Sequence, residues 1–196
     1  MIAMVARTIA ISGTPGVGKT SVALKLAETL KAKYVNLTDF VISNKLYTYY
    51  DEEGASYVID EEALRKELRK LITRYDGYII VDGHYGEVID DDLLEKIIVL
   101  RLSPRELYKR LKERGWSGRK LTDNVESELL GICTSNALES HGVNKVCEVD
   151  ATTKTSDDIV REILLIINGE AECRVFIDWL SDELVVDEII KLLDIV

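Results

Sequence analysis

Thr8-Ile9-Ala10-Ile11-Ser12-Gly13-Thr14-Pro15-Gly16-Val17-Gly18-Lys19-Thr20-Ser21 is the stretch whose reading decides the fold. From Gly13 to Thr20 it fits G-x-x-x-x-G-K-[ST] at every fixed position. The apolar run 8–12 in front reads as a short strand, and residues 21–30 behind it repeat apolar side chains at helical spacing. Strand, glycine loop and helix are the context this motif requires. Gly13, Gly16 and Gly18 let the backbone adopt conformations closed to other residues, so that amide groups converge on an anion. A loop that opens a helix also offers unpaired amides and the positive end of the helix dipole to phosphate oxygens. Lys19 adds a mobile positive charge, and the Thr20 hydroxyl is a hard oxygen suited to magnesium.

The rest of the chain bounds this reading. With 196 residues, the length suits one domain, and no apolar run approaches the roughly 18 residues that a membrane span requires. The start, Met1-Ile2-Ala3-Met4-Val5-Ala6-Arg7, runs into the first strand without signal-peptide features, so a cytoplasmic location is expected. Cys133, Cys147 and Cys173 are odd in number and widely spaced, and they read as small core residues rather than a disulfide or zinc framework. A net charge of −10 argues against a broad nucleic-acid surface. Residues 168–196 carry eight acidic and two basic side chains, supplying −6 of that charge.

Along the chain, residues 33–37 read as a strand, with Thr38-Asp39 expected to cap the short helix after it. Residues 40–50 read as that short helix and a loop, leading to the acidic turn Asp51-Glu52-Glu53-Gly54. Asp60 is expected to cap a helix over 61–75. Tyr78-Ile79-Ile80-Val81-Asp82 is an apolar run ending in a carboxylate, the form of a strand buried on both faces with Asp82 at the ligand crevice beside Thr20. Residues 96–102 form the next strand, and Ser103-Pro104 starts a helix ending near Arg114-Gly115. Arg101, Arg105, Lys109, Arg110, Lys112, Arg114, Arg119 and Lys120 make this the most basic part of the chain. Thr122 is expected to cap one long helix reaching about Ser140, closed by His141-Gly142. Residues 146–149 read as the last strand and Ser156 as the cap of a helix to Asn168-Gly169. The alternation implies an α/β three-layer fold with a parallel sheet.

The glycine loop, Val81-Asp82-Gly83-His84, Tyr50-Asp51-Glu52-Glu53, Leu107-Tyr108-Lys109-Arg110-Leu111, Arg114-Gly115-Trp116 and Leu121-Thr122-Asp123-Asn124-Val125-Glu126 together resemble nucleoside monophosphate kinases, and most closely the adenylate kinase isoenzyme 6 branch. The resemblance covers roughly residues 7–167 and implies a P-loop NTPase fold, the domain being set at 1–167, with an acceptor insertion near 38–60 and a lid near 115–124; residues 168–196 read from their own pattern as an acidic amphipathic helical extension. It implies ATP and Mg²⁺ as cofactors, AMP as acceptor, ATP hydrolysis as a side activity, and a role in small ribosomal subunit maturation through a basic ribosomal protein. The nucleotide-binding set would be Gly13, Pro15, Gly16, Val17, Gly18, Lys19, Thr20 and Ser21, with Arg110 against adenine, Arg114 on phosphate, and Thr152 and Lys154 beside the base. Thr20 and Asp82 would hold the metal. Lys19, Asp82, His84 and Arg114 would be the catalytic residues, and Thr38, Asp39, Lys45, Asp51 and His84 the acceptor side.

This sequence departs from the common adenylate kinases in two places. They follow the Asp-Gly of this strand with Phe-Pro-Arg, whereas here His84-Tyr85-Gly86 stands, and Phe40-Val41-Ile42-Ser43 supplies no arginine either, leaving Lys45 as the nearest basic candidate. Both absences weaken the monophosphate-kinase reading and raise that of an ATPase acting as an assembly switch; a kinase for another small metabolite is a third alternative. The apolar residues of the tail, Phe176 to Leu193, read as one or two amphipathic helices that pack on the core with acids outward.

Overall fold

The computed structural model describes residues 6–51 and 56–193; the expected turn at Glu52-Glu53-Gly54 lies outside them. Alternation of burial along the strands builds the molecule. In β1 (Arg7–Ser12), Ile9 and Ile11 face one core and Ala10 the other. In β5 (Tyr78–Asp82), Ile80 points to the first core while Ile79 and Val81 point to the second. In β6 (Leu94–Arg101), Ile98 and Leu100 oppose Ile97 and Val99 in the same way. Two apolar faces per strand require a cover on each side, which is why the sheet is central.

With β2 (Lys33–Asn36) and β7 (Val146–Asp150), the strands form a five-stranded parallel sheet in the order β2-β5-β1-β6-β7. One face is covered by α1 (Lys19–Leu30), α4 (Pro104–Glu113), α5 (Gly118–Leu129) and α7 (Ser156–Ile167). The other is covered by α2 (Leu37–Asn44), α3 (Glu61–Thr73) and α6 (Ile132–His141). This is the α/β P-loop NTPase architecture. Ile11 pairs with Asp82 and Ser12 with Val99, so β1, β5 and β6 deliver their carboxyl ends to one rim.

Several local expectations are corrected. Residues 47–51 are not a loop: Tyr47–Asp51 is a strand, β3, paired antiparallel with β4 (Ser56–Ile59) in a separate hairpin. Asn36, not Thr38-Asp39, caps α2, because its side chain sits just before the first turn and accepts from the Asp39 amide. Thr155, not Ser156, caps α7, in a reciprocal capping box with Asp158. The long helix expected from Thr122 starts at Gly118 and is two helices, because Gly131 takes φ 66° between α5 and α6. Only residues 115–117 of the expected lid span are loop. Asp60 caps α3 and Pro104 opens α4 as expected.

The tail carries one helix of the one or two expected, preceded by a 3-10 turn. Residues 172–178 run extended, a 3-10 turn covers Trp179–Ser181, and α8 spans Glu183–Leu192. Its Ile189 is buried in the first core, with Val185 and Leu192 packed beside it, while Leu184 is 80% exposed. The cysteine reading is overturned here: Cys147 of β7 and Cys173 of the tail form a disulfide, and Cys133 is left free. The extended segment runs back alongside β7, with the Glu148 amide donating to Arg174 O at 2.9 Å, and so brings the two sulfurs together.

The bridge closes a loop with a sequence separation of 26. Restricting a loop of that size in the unfolded chain stabilises by about 3 kcal/mol. Cys173→Ser is therefore expected to lower the melting temperature by several degrees and to speed hydrogen exchange over residues 174–181. An unchanged melting temperature would show that the bridge contributes nothing to stability.

Candidate active site

The chain leaves β1 at Ser12 and turns sharply at Gly13, whose φ is 130°. A Cβ at Gly13 would lie 2.4 Å from the Leu100 carbonyl oxygen, so neither the torsion nor the space admits another residue. Gly18, at the N-cap of α1, has φ 110° and no side-chain cap, which leaves the first amides of α1 open to a ligand. Lys19 Nζ donates to Gly13 O at 2.7 Å and Thr14 O at 3.0 Å, curled over the loop it serves. Burial pushes the Lys19 ammonium below its usual range, against the opposing influence of Cys133, Asp82 and Glu128.

Asp82, 1% exposed at the end of β5, collects three donors on a single oxygen. Oδ2 accepts from Thr20 Oγ1 at 2.8 Å, from Tyr34 OH at 2.8 Å and from Asn36 Nδ2 at 3.1 Å. Asn36 is thus both the cap of α2, through Oδ1, and a support of Asp82, through Nδ2. Burial pushes the Tyr34 phenol up to about 12, which keeps it a proton donor to the carboxylate. Sequence reading found Thr20 and Asp82 but missed Tyr34 and Asn36, whose signal is their alternation on β2 at the register that faces Asp82.

Thr20 and Asp82 present adjacent hard oxygens beside the loop, a donor pair that suits magnesium completed by phosphate oxygens and water. Among the described residues no group of three or more His, Cys, Asp or Glu side chains gathers to hold a metal, so an ion here would depend on that completion.

On either side of this centre lie two cavities. The smaller, about 210 Å³, is lined by Val17, Gly18, Ser21, Arg110, Lys154 and Ile159 among others, and Arg110 Nη1 also reaches Val17 O at 3.4 Å. Thr152 is not in this lining; its hydroxyl accepts from the Ser103 amide at 3.0 Å and holds the β7–α7 loop to the start of α4. The larger cavity, about 570 Å³, opens between α2, the β3–β4 hairpin and Gly83-His84-Tyr85, and is lined by Leu37, Thr38, Val41, Ile42, Tyr50 and Tyr57 among others. Neither Asp39 nor Lys45 lines it: both are exposed on α2 and its C-cap. Asp51, at the end of β3, is likewise outside the lining. Among the described residues no arginine or lysine lines this cavity. Arg65, which sequence reading passed over, lines the adjoining cavity of about 290 Å³ with Glu61, Tyr85 and Glu87. Arg114 is exposed at the C-cap of α4 and its charge acts on Lys19, whereas Arg119 pairs with Asp123 at 3.4 Å.

His84 stands between the phosphate loop and the larger cavity, its ring 4.1 Å from that of Tyr85. Burial and the Lys19 charge push the imidazole down to about 4, so it is neutral near pH 7.

These features match known proteins. Residues 9–131 match the family model described as the AAA domain. The chain is 41% identical over 174 residues to a protein of Saccharolobus solfataricus named "Putative adenylate kinase", covering 89% of this chain and 88% of that one. A protein of the same name from Pyrococcus furiosus is 42% identical over 174 residues, covering 87% of this chain and 90% of that one. The chain belongs to this nucleotide kinase family. Among solved structures, shikimate kinase from Acinetobacter baumannii in complex with shikimate aligns with a TM-score of 0.60 at 14% identity, over 85% of this chain and 95% of that one. Thymidylate kinase from Candida albicans aligns with a TM-score of 0.52 at 18% identity, over 88% of this chain and 98% of that one. Both likenesses bear on the fold.

A histidine whose pKa is lowered on folding binds fewer protons folded than unfolded between about 4 and its ordinary value near 6.5. Its contribution to stability is complete above 6.5 and is lost as pH falls toward 4. NMR titration is expected to give His84 a midpoint of about 4. His84→Asn is expected to flatten the fall of urea stability between pH 6.5 and 4; a midpoint near 6.5 would contradict the burial argument.

Proposed function

We propose that this nucleotide kinase is an Mg²⁺-dependent adenylate kinase, converting ATP and AMP to two ADP. The observation that carries the proposal is the position of Asp82-Gly83-His84, which joins the phosphate loop at Thr20 to the wall of the large aromatic cavity. A donor triphosphate on one side and an acceptor on the other would then meet at the end of β5.

In this reading the amides of Gly13 to Thr20 and the first turn of α1 hold the β- and γ-phosphates, with Pro15, Val17 and Ser21 shaping the loop's walls. Lys19 swings from the Gly13 and Thr14 carbonyls to the phosphoryl oxygens, where it offsets charge that grows as the phosphoryl group moves. Thr20 and Asp82 would hold magnesium, which neutralises phosphate charge when bound. Arg110 and Lys154 flank the donor base in the smaller cavity, and Thr152 positions that loop. Arg114 closes over the phosphates from the C-cap of α4. Acceptor AMP stacks its base on Tyr50 and Tyr57 beside Thr38, and neutral His84 orients the attacking phosphate oxygen by a hydrogen bond. Arg65, in the adjoining cavity, is the cation best placed to receive the AMP phosphate, a role for which Lys45 is too exposed and for which Asp39 carries the wrong charge.

A second reading rests on the lack of arginine among the described residues of the larger cavity wall. Water would replace AMP as acceptor, and ATP hydrolysis would drive an assembly step, in the manner of the adenylate kinase isoenzyme 6 branch with small ribosomal subunit maturation. The −6 charge of residues 168–196 favours encounter with a basic ribosomal protein. Among the described residues no helix is long and apolar enough to cross a membrane. A cytoplasmic location fits this reading; the Cys147–Cys173 bridge weighs on it, since disulfides are rare in the cytosol outside hyperthermophiles.

ADP production by the purified protein with Mg²⁺-ATP, with and without AMP, decides between the readings. The kinase reading expects AMP-dependent formation of two ADP for each ATP consumed, abolished in Lys19→Ala and Asp82→Ala and reduced about 10³-fold in Arg114→Ala. Arg65→Ala is expected to raise the KM for AMP with little change in that for ATP. Slow, AMP-independent hydrolysis in the wild type would replace the kinase with the ATPase.

A further inference from the structure

The phosphate loop is tied to the far end of the chain by buried polar contacts that the transfer mechanism leaves unused. Thr14, inside the loop and 1% exposed, donates its hydroxyl to Glu128 Oε2 of α5 at 2.7 Å. The other oxygen, Oε1, accepts from Arg101 Nε at 2.7 Å, from the Leu102 amide at 3.1 Å and from the indole Nε1 of Trp179 at 3.2 Å. Trp179 is held in reach by the segment before it. The amides of Phe176 and Ile177 donate to Glu148 Oε2 at 2.8 and 2.7 Å, Arg101 bridges Glu148 to the Ile177 carbonyl, and Cys173 is bonded to Cys147.

We propose that Glu128 and Trp179 are positioning residues for the phosphate loop, so that docking of the tail segment 173–181 sets the loop's affinity for a nucleoside triphosphate. The inference rests on the reading of this loop as the donor site, but not on the identity of the acceptor. The physical reason is that a buried carboxylate is held in one rotamer only when its donors are all present. Removal of the Trp179 N–H leaves Oε1 held by Arg101 and the Leu102 amide alone, so that the carboxylate tilts toward those two donors and Oε2 is no longer fixed against Thr14. The backbone of the loop, whose amides must converge on one anion, loosens with it.

Calorimetric titration with the Mg²⁺ complex of a non-hydrolysable ATP analogue tests this directly. Loss of one buried hydrogen bond of this kind corresponds to about a tenfold change. Trp179→Phe and Thr14→Val are each expected to weaken binding about three- to tenfold, Thr14→Ser to restore it, and the double variant to be no weaker than the poorer single one, because both act through Glu128. In steady state, Trp179→Phe is expected to raise the KM for ATP while leaving kcat within about twofold. Additive losses, or a Trp179→Phe protein that melts earlier but binds the analogue as tightly as wild type, would overturn the proposal. Wild-type protein that binds the analogue but makes no ADP from AMP would sink the kinase reading alone, since the binding comparison still decides this one.

Discussion

The convergence of three donors on Asp82 Oδ2 is the constraint on which the site depends. A carboxylate 1% exposed at a strand end is costly unless its hydrogen bonds are supplied by the protein. Thr20 brings the first turn of α1, while Tyr34 and Asn36 bring β2. The Gly83 amide donates to Ile11 O at 3.2 Å and draws β5 against β1. Fixing that one oxygen therefore fixes the distance between the phosphate loop, the β5 end and the start of α2. The larger cavity begins where α2 leaves Asn36, so its position relative to Lys19 is set by the same contacts.

A second buried polar centre works by different physics. Arg101, Glu128 and Glu148 lie almost wholly inside the protein, and taking three charges out of water carries a penalty that their mutual attraction repays only with good geometry and satisfied hydrogen bonds. Here Thr14, Thr134, Trp179 and the Phe176 and Ile177 amides satisfy the remaining lone pairs. Apolar residues of equal volume would cement the tail as well, but without orienting it. Arg101 and Glu148 bond the backbone of Phe176 and Ile177 and so seat that segment beside β7, and α8 beyond it lies against α4, where Glu188 meets Arg105 at 3.1 Å.

How much of this was legible in the sequence depended on whether the determinant was local. The glycine loop, the strand ending at Asp82, the cap at Asp60 and the Ser103-Pro104 helix start are contiguous patterns, and each stands where the sequence places it. Strand β3 reads as loop in the sequence because Tyr49 and Tyr50 are adjacent and both exposed, so the period-2 pattern of a half-buried strand is absent. The break at Gly131 was hidden because Leu129, Leu130 and Ile132 continue an apolar spacing straight through it. The disulfide required the path of the tail, which Glu148 and Arg101 direct and no spacing reveals. Charged side chains on helices and strand ends read as solvated; only the fold shows that Arg101, Glu128 and Glu148 face one another.

The acceptor side shows how far one substitution of wall chemistry reaches. A cavity walled by Leu37, Val41, Ile59, Leu64 and tyrosines binds a flat base by area and ring contact, energies that do not depend on where the phosphate sits. Arginines in that wall would hold the acceptor phosphate in line with the donor; on the proposed reading the orienting work falls to neutral His84 and to Arg65 of the neighbouring cavity, whose charge is shared by Asp90 at 3.8 Å and by Glu87. Weaker orientation lowers the fraction of bound acceptor that is aligned for attack, which acts on turnover more than on affinity. On the proposed reading, an aromatic wall without arginine or lysine among the described residues would leave the acceptor phosphate to Arg65, whose guanidinium already lies 3.8 Å from Asp90 and shares its cavity with Glu61 and Glu87.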